Sequence, residues 1–136
     1  MLSGDRENWP GPGWFSFRCR KRWLSFRCRL IGIPAIPASH AFIHGKKVAI
    51  GLLTQLVLEG RPQTEIEEIY RYQKAVGLPI TLAEVGVDVA SDDQLRTIAE
   101  RTVIPGESSL NEPFPVTAET LVPALRAADQ LGRQRC

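Results

Sequence analysis

The chain has 136 residues, of which 43% are hydrophobic and 24% are charged, and its formal net charge is +2 at neutral pH. This length suits one ordinary domain with a hydrophobic core, which excludes global disorder. No apolar run reaches the roughly 18 residues of a membrane-spanning helix, and the N-terminus has no secretory pattern. Three cysteines without metal-ligand spacing (Cys19, Cys28 and Cys136) also favour a reduced compartment. We therefore expect a cytoplasmic protein.

The first 30 residues differ in composition from the rest of the chain. They carry seven basic and two acidic residues, whereas the remainder carries ten basic and thirteen acidic ones. All three Trp and three of the five Phe also lie there. We therefore predict two segments, a basic aromatic N-terminal arm over residues 1–34 and a helical domain over residues 35–136.

The arm contains a short internal repeat, because the pattern of residues 14–20 recurs at residues 23–29. Within each copy apolar and polar residues alternate, which is the two-residue period of a β-strand. A hairpin would place Cys28 about 13 Å from Cys19 at roughly 3.4 Å per residue, which is too far for a disulfide. Two strands alone are marginal in water, so the prediction is an irregular or hairpin-like arm, with disorder as the alternative.

The rest of the chain is predicted to be all-α, a bundle of about four main helices. The first helix covers about residues 40–59 and is apolar nearly all round, so we expect it to be buried or central. Gly60 ends this helix. The second begins at a capping box formed by Thr64 and Glu67 and ends at Gly77.

Further capping signals place the remaining helices. They are Thr81 with Glu84 for a short helix to about residue 85, Ser91 with Gln94 for a third main helix to about residue 103, and Thr117 for a last helix to about residue 132. Pro123 lies inside the last helix and predicts a kink. Residues 31–37 form a connector, because each Pro disfavours a helical conformation in the residue before it.

Both histidines, His40 and His44, lie near the start of the first predicted helix. Because they are four positions apart, a continuous helix would place both imidazoles on one face. The pattern indicates either half of a metal site or two polar residues that hydrogen-bond locally, and the spacing alone favours the second interpretation. A catalytic zinc needs three protein ligands, and no Glu follows His40 as in a metalloprotease helix.

Other candidate residues carry weaker signals. The acidic side chains Glu65, Glu67 and Glu68 indicate a solvated helix face, and Cys136 indicates an exposed thiol. No Gly-rich phosphate loop and no nucleophile elbow occurs in the sequence. In the arm, Arg beside Phe and Trp could bind nucleic acid or an anionic membrane, although an incidental extension is the favoured interpretation.

Several blocks of sequence carry a family resemblance. They are Ala35-Ile36-Pro37, His44-Gly45-Lys46-Lys47-Val48-Ala49, residues 53–59, residues 75–83, residues 106–107, residues 111–113 and residues 127–129. In this order they resemble the C-terminal, all-helical domain of glycerol dehydrogenases, within the iron-containing alcohol dehydrogenase family. The resemblance implies a dehydroquinate synthase-like helical fold for residues 35–136.

The resemblance also implies a chemistry. Members oxidise glycerol to dihydroxyacetone with NAD, and a nucleotide-binding domain precedes the helical one. A divalent metal, usually zinc, is held by one Asp and two His of the helical domain, and His44 matches the second of these His. The metal would act as a Lewis acid that lowers the pKa of the bound alcohol.

The chain departs from the family at several of these positions. The other two metal ligands would lie upstream, where the arm contains no His and only one Asp, Asp5. At the position where the family has a Glu after His-Gly, this chain has Lys46. At the position before Asn111, where the family usually has a His, it has Leu110. We therefore predict a truncated dehydrogenase-like chain that is inactive alone, with His44 as a metal residue, and we assign no catalytic or cofactor-binding residue.

Two partners are consistent with this prediction, a separate nucleotide-binding chain or a second copy. Apolar surface exposed on the helix at 44–59 would favour such association. The alternative function is a non-catalytic helical interaction module, whose basic arm binds nucleic acid, anionic lipid or a partner chain. We rank the alternative lower because the arm is short.

Overall fold

The computed structural model describes residues 32–106 and 114–136, which form helices and no strand. The four α-helices are α1 (His44–Leu58), α2 (Gln63–Ala75), α3 (Asp92–Thr102) and α4 (Ala118–Arg133). Three short 3-10 helices cover Ile33–Ala35, Pro37–Ala41 and Ala83–Val85. The prediction of an all-α bundle with four main helices is therefore confirmed. The predicted hairpin at 14–29 lies outside the described residues.

The core forms where α4 packs against both α1 and α3, while α2 packs on α1. The largest fully buried side chains come from every one of these elements: Ile33, Leu53, Leu56, Tyr70, Leu82, Leu95, Ile98, Leu121 and Leu125. Burying such side chains is the main favourable contribution to folding. None of the described helices is both long and apolar enough to cross a membrane.

The first predicted helix is wrong at its start. Instead of one helix from residue 40, a 3-10 helix ends at Ala41 and α1 begins at His44. Phe42 (φ −107°, ψ 139°) and Ile43 (φ −63°, ψ 151°) between them are extended. The Ser39 hydroxyl donates to the Ile33 carbonyl at 2.8 Å and ties the 3-10 helix back onto the preceding turn. At the break itself Phe42 packs closely against Gly86, where an added Cβ would lie 3.1 Å from the Phe42 ring.

The helix caps predicted at Ser91 and Thr117 are confirmed, and the one predicted at Thr64 is wrong. Ser91 accepts a hydrogen bond from the Gln94 backbone N–H, and Thr117 forms a reciprocal capping box. The predicted capping box at Thr64 does not form, because α2 already begins at Gln63 after Pro62 (φ −53°, ψ 141°). The proline ring fixes φ and sets the start of the helix one residue earlier.

One polar contact fixes the segment before the Ala83–Val85 helix to α4. The buried Asp129 carboxylate accepts from the Leu82 backbone N–H at 2.7 Å and from Arg133 Nε at 2.6 Å. One turn further on, Gly132 lies so close that an added Cβ would be 1.9 Å from the Ile80 carbonyl oxygen. The segment at 80–85 therefore has a defined position beside α1, where Ile80 and Leu82 lie next to Ile50 and Leu53.

Candidate functional site

His44 is the first residue of α1, and its side chain is exposed. Its imidazole makes no hydrogen bond with another described residue. The extended backbone at Ile43, which precedes it, directs the chain into α1 without a side-chain cap. His44 thus lies at a defined helix start, and its ring nitrogens are available to a ligand or a partner.

His40 has a different role. It belongs to the 3-10 helix, and its Nε2 donates to the Pro34 carbonyl at 2.7 Å. Because the two residues between His40 and His44 are extended, no continuous helix aligns the two imidazoles. For His40 the local hydrogen-bonding interpretation therefore holds, whereas the metal role of His44 remains a prediction.

The described residues do not form a metal site by themselves. Within 32–106 and 114–136, no group of three or more His, Cys, Asp or Glu is placed to hold an ion, and a catalytic zinc needs three protein ligands. The first turn of α1 contains no acidic residue but contains Lys46 and Lys47, and the helix dipole is positive there. A cation at His44 would thus need carboxylate or imidazole ligands from elsewhere.

Glu84 lies close enough to Lys46, in the first turn of α1, for the two charges to interact. Its Oε2 accepts from the Ile80 N–H at 2.9 Å and from the Thr81 N–H and hydroxyl, each at 2.8 Å. Partial burial would raise the pKa of Glu84, but these three hydrogen bonds, together with the charge of Lys46, hold that pKa below the ordinary 4.5. The predicted pairing of Thr81 with Glu84 and the short helix to Val85 are present. The N-cap of this helix is Leu82 without a side-chain cap bond, so the predicted capping box at Thr81 does not form.

Replacing Glu84 by Gln is expected to lower Tm at pH 7, and this loss of Tm is expected to shrink as the pH falls below 4.5. A carboxyl with a depressed pKa in the folded state stabilises the protein above its unfolded value of 4.5, and this contribution is lost as the pH falls below it. Thermal unfolding followed by circular dichroism across this range measures the difference.

Glu100→Gln is the matched control, because exposed Glu100 makes no ion pair or side-chain hydrogen bond with another described residue. A Tm difference between wild type and Glu84→Gln that persists unchanged at pH 3 would contradict the proposed origin of the effect.

A groove between α1 and α2 begins next to His44. It has a volume of about 670 Å³, and we call it the α1–α2 groove; its lining includes Gly45, Val48, Leu52, Ile69, Tyr72 and Gln73. Val48 and Tyr72 are 45% and 55% exposed. The expectation that α1 is buried all round is therefore wrong at Val48, whereas the expected apolar surface on this helix is confirmed.

Gln73 is the polar residue of this groove that sequence reasoning missed. It is 2% exposed, its Nε2 donates to the Ala49 carbonyl at 3.2 Å, and its Oε1 has no hydrogen-bond partner among the described residues. The signal was present in the sequence, because Gln73 follows Ile66, Ile69 and Tyr70 at the helical spacing that defines a buried face. A polar residue at such a position indicates a hydrogen-bonding role.

The other candidate residues lie away from His44 or form local contacts. Glu67 accepts from Gln63 Nε2 and from Arg135, as expected for a solvated face, while Glu68 lines the α1–α2 groove. Cys136 is exposed, as predicted. The arm on which the interaction-module hypothesis depends lies outside the described residues, so that hypothesis remains a prediction.

Comparison with known proteins identifies relatives for the helical part. No protein-family model matches the chain. Glycerol dehydrogenases of Thermotoga maritima and Citrobacter freundii are 45% and 43% identical to it over 104 and 103 residues, in each case 76% of this chain. The chain spans only 29% and 28% of the length of these two relatives.

Solved structures give the same result. The structure of a probable glycerol dehydrogenase from Sinorhizobium meliloti matches 81% of this chain with a TM-score of 0.75 and 31% identity, and the match covers 31% of that chain. The Schizosaccharomyces pombe glycerol dehydrogenase gives a TM-score of 0.71 at 28% identity.

The bundle with His44 at the start of α1 is thus of a class found within longer dehydrogenase chains. Over its helical part, the chain belongs to the glycerol dehydrogenase family.

Proposed function

We propose that this chain forms the helical part of a glycerol dehydrogenase-like oxidoreductase and that His44 is one ligand of its divalent metal. The metal expected from the resemblance is zinc, and the reaction is the NAD-dependent oxidation of glycerol to dihydroxyacetone. When bound, the metal would supply Lewis-acid activation of the alcohol. The two remaining metal ligands would come from the upstream part of the helical domain and the NAD site from a nucleotide-binding domain, neither of which is among the described residues.

The observation that carries the proposal is the position of His44. It lies in the block His44–Ala49 that is shared with the family, at a fixed helix start, with its imidazole exposed and without a hydrogen-bond partner in the described part of the chain. By contrast, His40 lies outside this shared block, in the 3-10 helix that precedes α1. A metal-ligating imidazole must keep a ring nitrogen available, and His44 meets this requirement.

The surroundings of His44 explain why the chain is expected to be inactive alone. A single imidazole cannot fix a catalytic ion that needs three protein ligands. Lys46 places a positive charge within the first turn of the same helix, which further disfavours a bound cation. Ligands from a second part of the protein would have to offset this charge.

A complementation experiment tests the proposal. The 136-residue protein is mixed with a Thermotoga maritima glycerol dehydrogenase polypeptide from which the matched segment has been deleted, in the presence of zinc. We expect NAD reduction with glycerol only in the mixture. In the His44→Ala variant we expect activity to fall by more than about 100-fold, the upper end of the loss caused by removing an outer-shell partner of a metal. Zinc content, measured by mass spectrometry, should fall with it.

His40→Ala is the control, and its mixture should keep both zinc and activity. Turnover by the chain alone would contradict the proposal, as would full zinc content in the His44→Ala mixture. A folded mixed complex without any activity would also contradict it.

A further inference from the structure

The α1–α2 groove leaves apolar surface uncovered beside the candidate site. Of the five exposed large hydrophobic residues in the described part of the chain, four lie on the groove wall or within two residues of it along the chain: Ile43, Val48, Tyr72 and Val76, with exposures of 70%, 45%, 55% and 53%. The fifth, Ile104, is 37% exposed and lies beyond the end of α3. Such clustering of apolar surface indicates an interaction site.

The buried amide of Gln73 supports a specific occupant for this groove. Its Nε2 donates a hydrogen bond to the Ala49 carbonyl, but its Oε1 is inaccessible to solvent and has no hydrogen-bond partner among the described residues. A buried acceptor without a donor is unfavourable, and polar atoms in native interiors are normally paired. A segment bound at the groove could present an N–H or O–H group to this oxygen after a small adjustment of the Gln73 side chain.

The shape of the groove favours a helix. Its walls run from Gly45 to Leu52 on α1 and from Glu68 to Ala75 on α2, each about 10 Å at roughly 1.5 Å per residue. An apolar helix that lies between two others fills such a space by packing its side chains into the grooves of both neighbours. The charged lining residues, Glu68 and Arg71, would face polar groups at the edges of the bound helix.

We infer that the α1–α2 groove binds an apolar helix from the part of a glycerol dehydrogenase-like polypeptide that this chain does not match, and this inference rests on the proposed function. The chain spans only about 28–31% of the curated and solved relatives, so most of each relative lies outside the matched fold and is available to cover it. Because the groove starts at Gly45, a helix seated there would also come close to the His44 imidazole.

A second copy of the chain fits the groove less well. Each of the four described α-helices already buries one face in the core, so none is free to enter the groove of another copy. Two copies meeting at this surface would bring together two concave grooves. A dimer would therefore leave the groove incompletely filled.

Hydrogen exchange on the full 136-residue chain tests the inference. Amide exchange in α1 and α2 is followed at low and high protein concentration, and again after addition of the Thermotoga maritima polypeptide that lacks the matched segment. We expect protection of residues 45–52 and 68–75 to increase only when that polypeptide is added. Circular dichroism first verifies that the polypeptide is folded; if it is not, the equivalent Citrobacter freundii polypeptide is used.

Two matched variants assign the protection to the groove. Val48→Glu should weaken the mixed complex by about tenfold or more, because a carboxylate would be buried in an apolar groove. Ile104→Glu introduces the same charge on an exposed hydrophobic outside the groove and should change the affinity by less than about twofold. Both positions are partly exposed, and the Tm of each variant alone verifies that it folds.

Each contrary outcome overturns the inference. Protection that rises with concentration of the chain alone would assign the groove to a second copy, and protection at every concentration would assign it to the chain's own residues. Equal binding of Val48→Glu and wild type would exclude the groove as the contact. An inactive complex assembled through the groove would refute only the proposed function, whereas an active complex insensitive to Val48→Glu would refute only this inference.

Discussion

Replacing Leu53 by Ala is expected to lower the free energy of unfolding by about 2–5 kcal/mol, the range for Leu-to-Ala changes in well-packed cores. Leu53 is 1% exposed and lies on α1 within the main hydrophobic core cluster. The truncation removes apolar contacts and leaves a cavity, and the surrounding helices can collapse only partly around it. Urea unfolding, extrapolated linearly to water, measures the change.

Leu52→Ala provides the matched control at the next position of the same helix. Leu52 is only partly buried and lines the α1–α2 groove, so its truncation is expected to cost about 1 kcal/mol in the chain alone, because less apolar area leaves water in the folded state. In the mixed complex, Leu52→Ala should in addition weaken binding. Equal losses at the two positions would contradict the distinction between a core face and an open groove face on α1.

The helix ends that depend on local chemistry could be predicted from the sequence. At Ser91 and Thr117 the capping residue and its partner lie within three positions of each other, so a few adjacent residues of the sequence are enough to predict the helix start. The positive φ of 62° at Gly60 follows from the same local logic, because glycine adopts this conformation without steric cost. Such features require no knowledge of the rest of the fold.

The start of α1 could not be predicted in the same way. The break at Phe42 and Ile43 depends on contacts from distant segments: an added Cβ on Gly86 would lie 3.1 Å from the Phe42 ring, which shows how closely the two residues approach. Residues 40–59 are apolar enough to suggest a continuous helix, and only the tertiary structure separates them. The error mattered for the site, because it had placed His40 and His44 on one face.

The candidate site also combines features that the sequence predicts with features that depend on the tertiary structure. The resemblance singled out His44, and the structure adds that its imidazole is exposed and that Lys46 lies in the same helical turn. The groove was predictable only as apolar surface on the helix at 44–59. Its second wall and the unpartnered Gln73 oxygen depend on how α2 packs against α1, which no local pattern encodes.

Replacing Gly132 by Ala is expected to destabilise the protein by about 2–3 kcal/mol, toward the upper end of the cost of overpacking. A Cβ at this position would lie 1.9 Å from the Ile80 carbonyl oxygen and 2.8 Å from its carbon. Because both atoms belong to the backbone, no side-chain rotation can relieve the overlap. The higher helix propensity of Ala, about 1 kcal/mol relative to Gly, offsets only part of this cost.

Gly45→Ala is the control that separates the steric overlap from the effect of helix propensity. A Cβ on Gly45 in α1 meets no atom within 4 Å, so only helix propensity changes there. The free energy of unfolding of this control should rise by up to about 1 kcal/mol, so the two glycine variants should shift the urea midpoint in opposite directions. The Gly132 variant must move α4 away from the segment at 80–85, and this movement would lengthen the 2.7 Å bond from the Leu82 N–H to Asp129. A shift of the Leu82 amide resonance in NMR spectra would report it, whereas unchanged stability and an unchanged resonance would mean that α4 does not hold this segment in place beside α1.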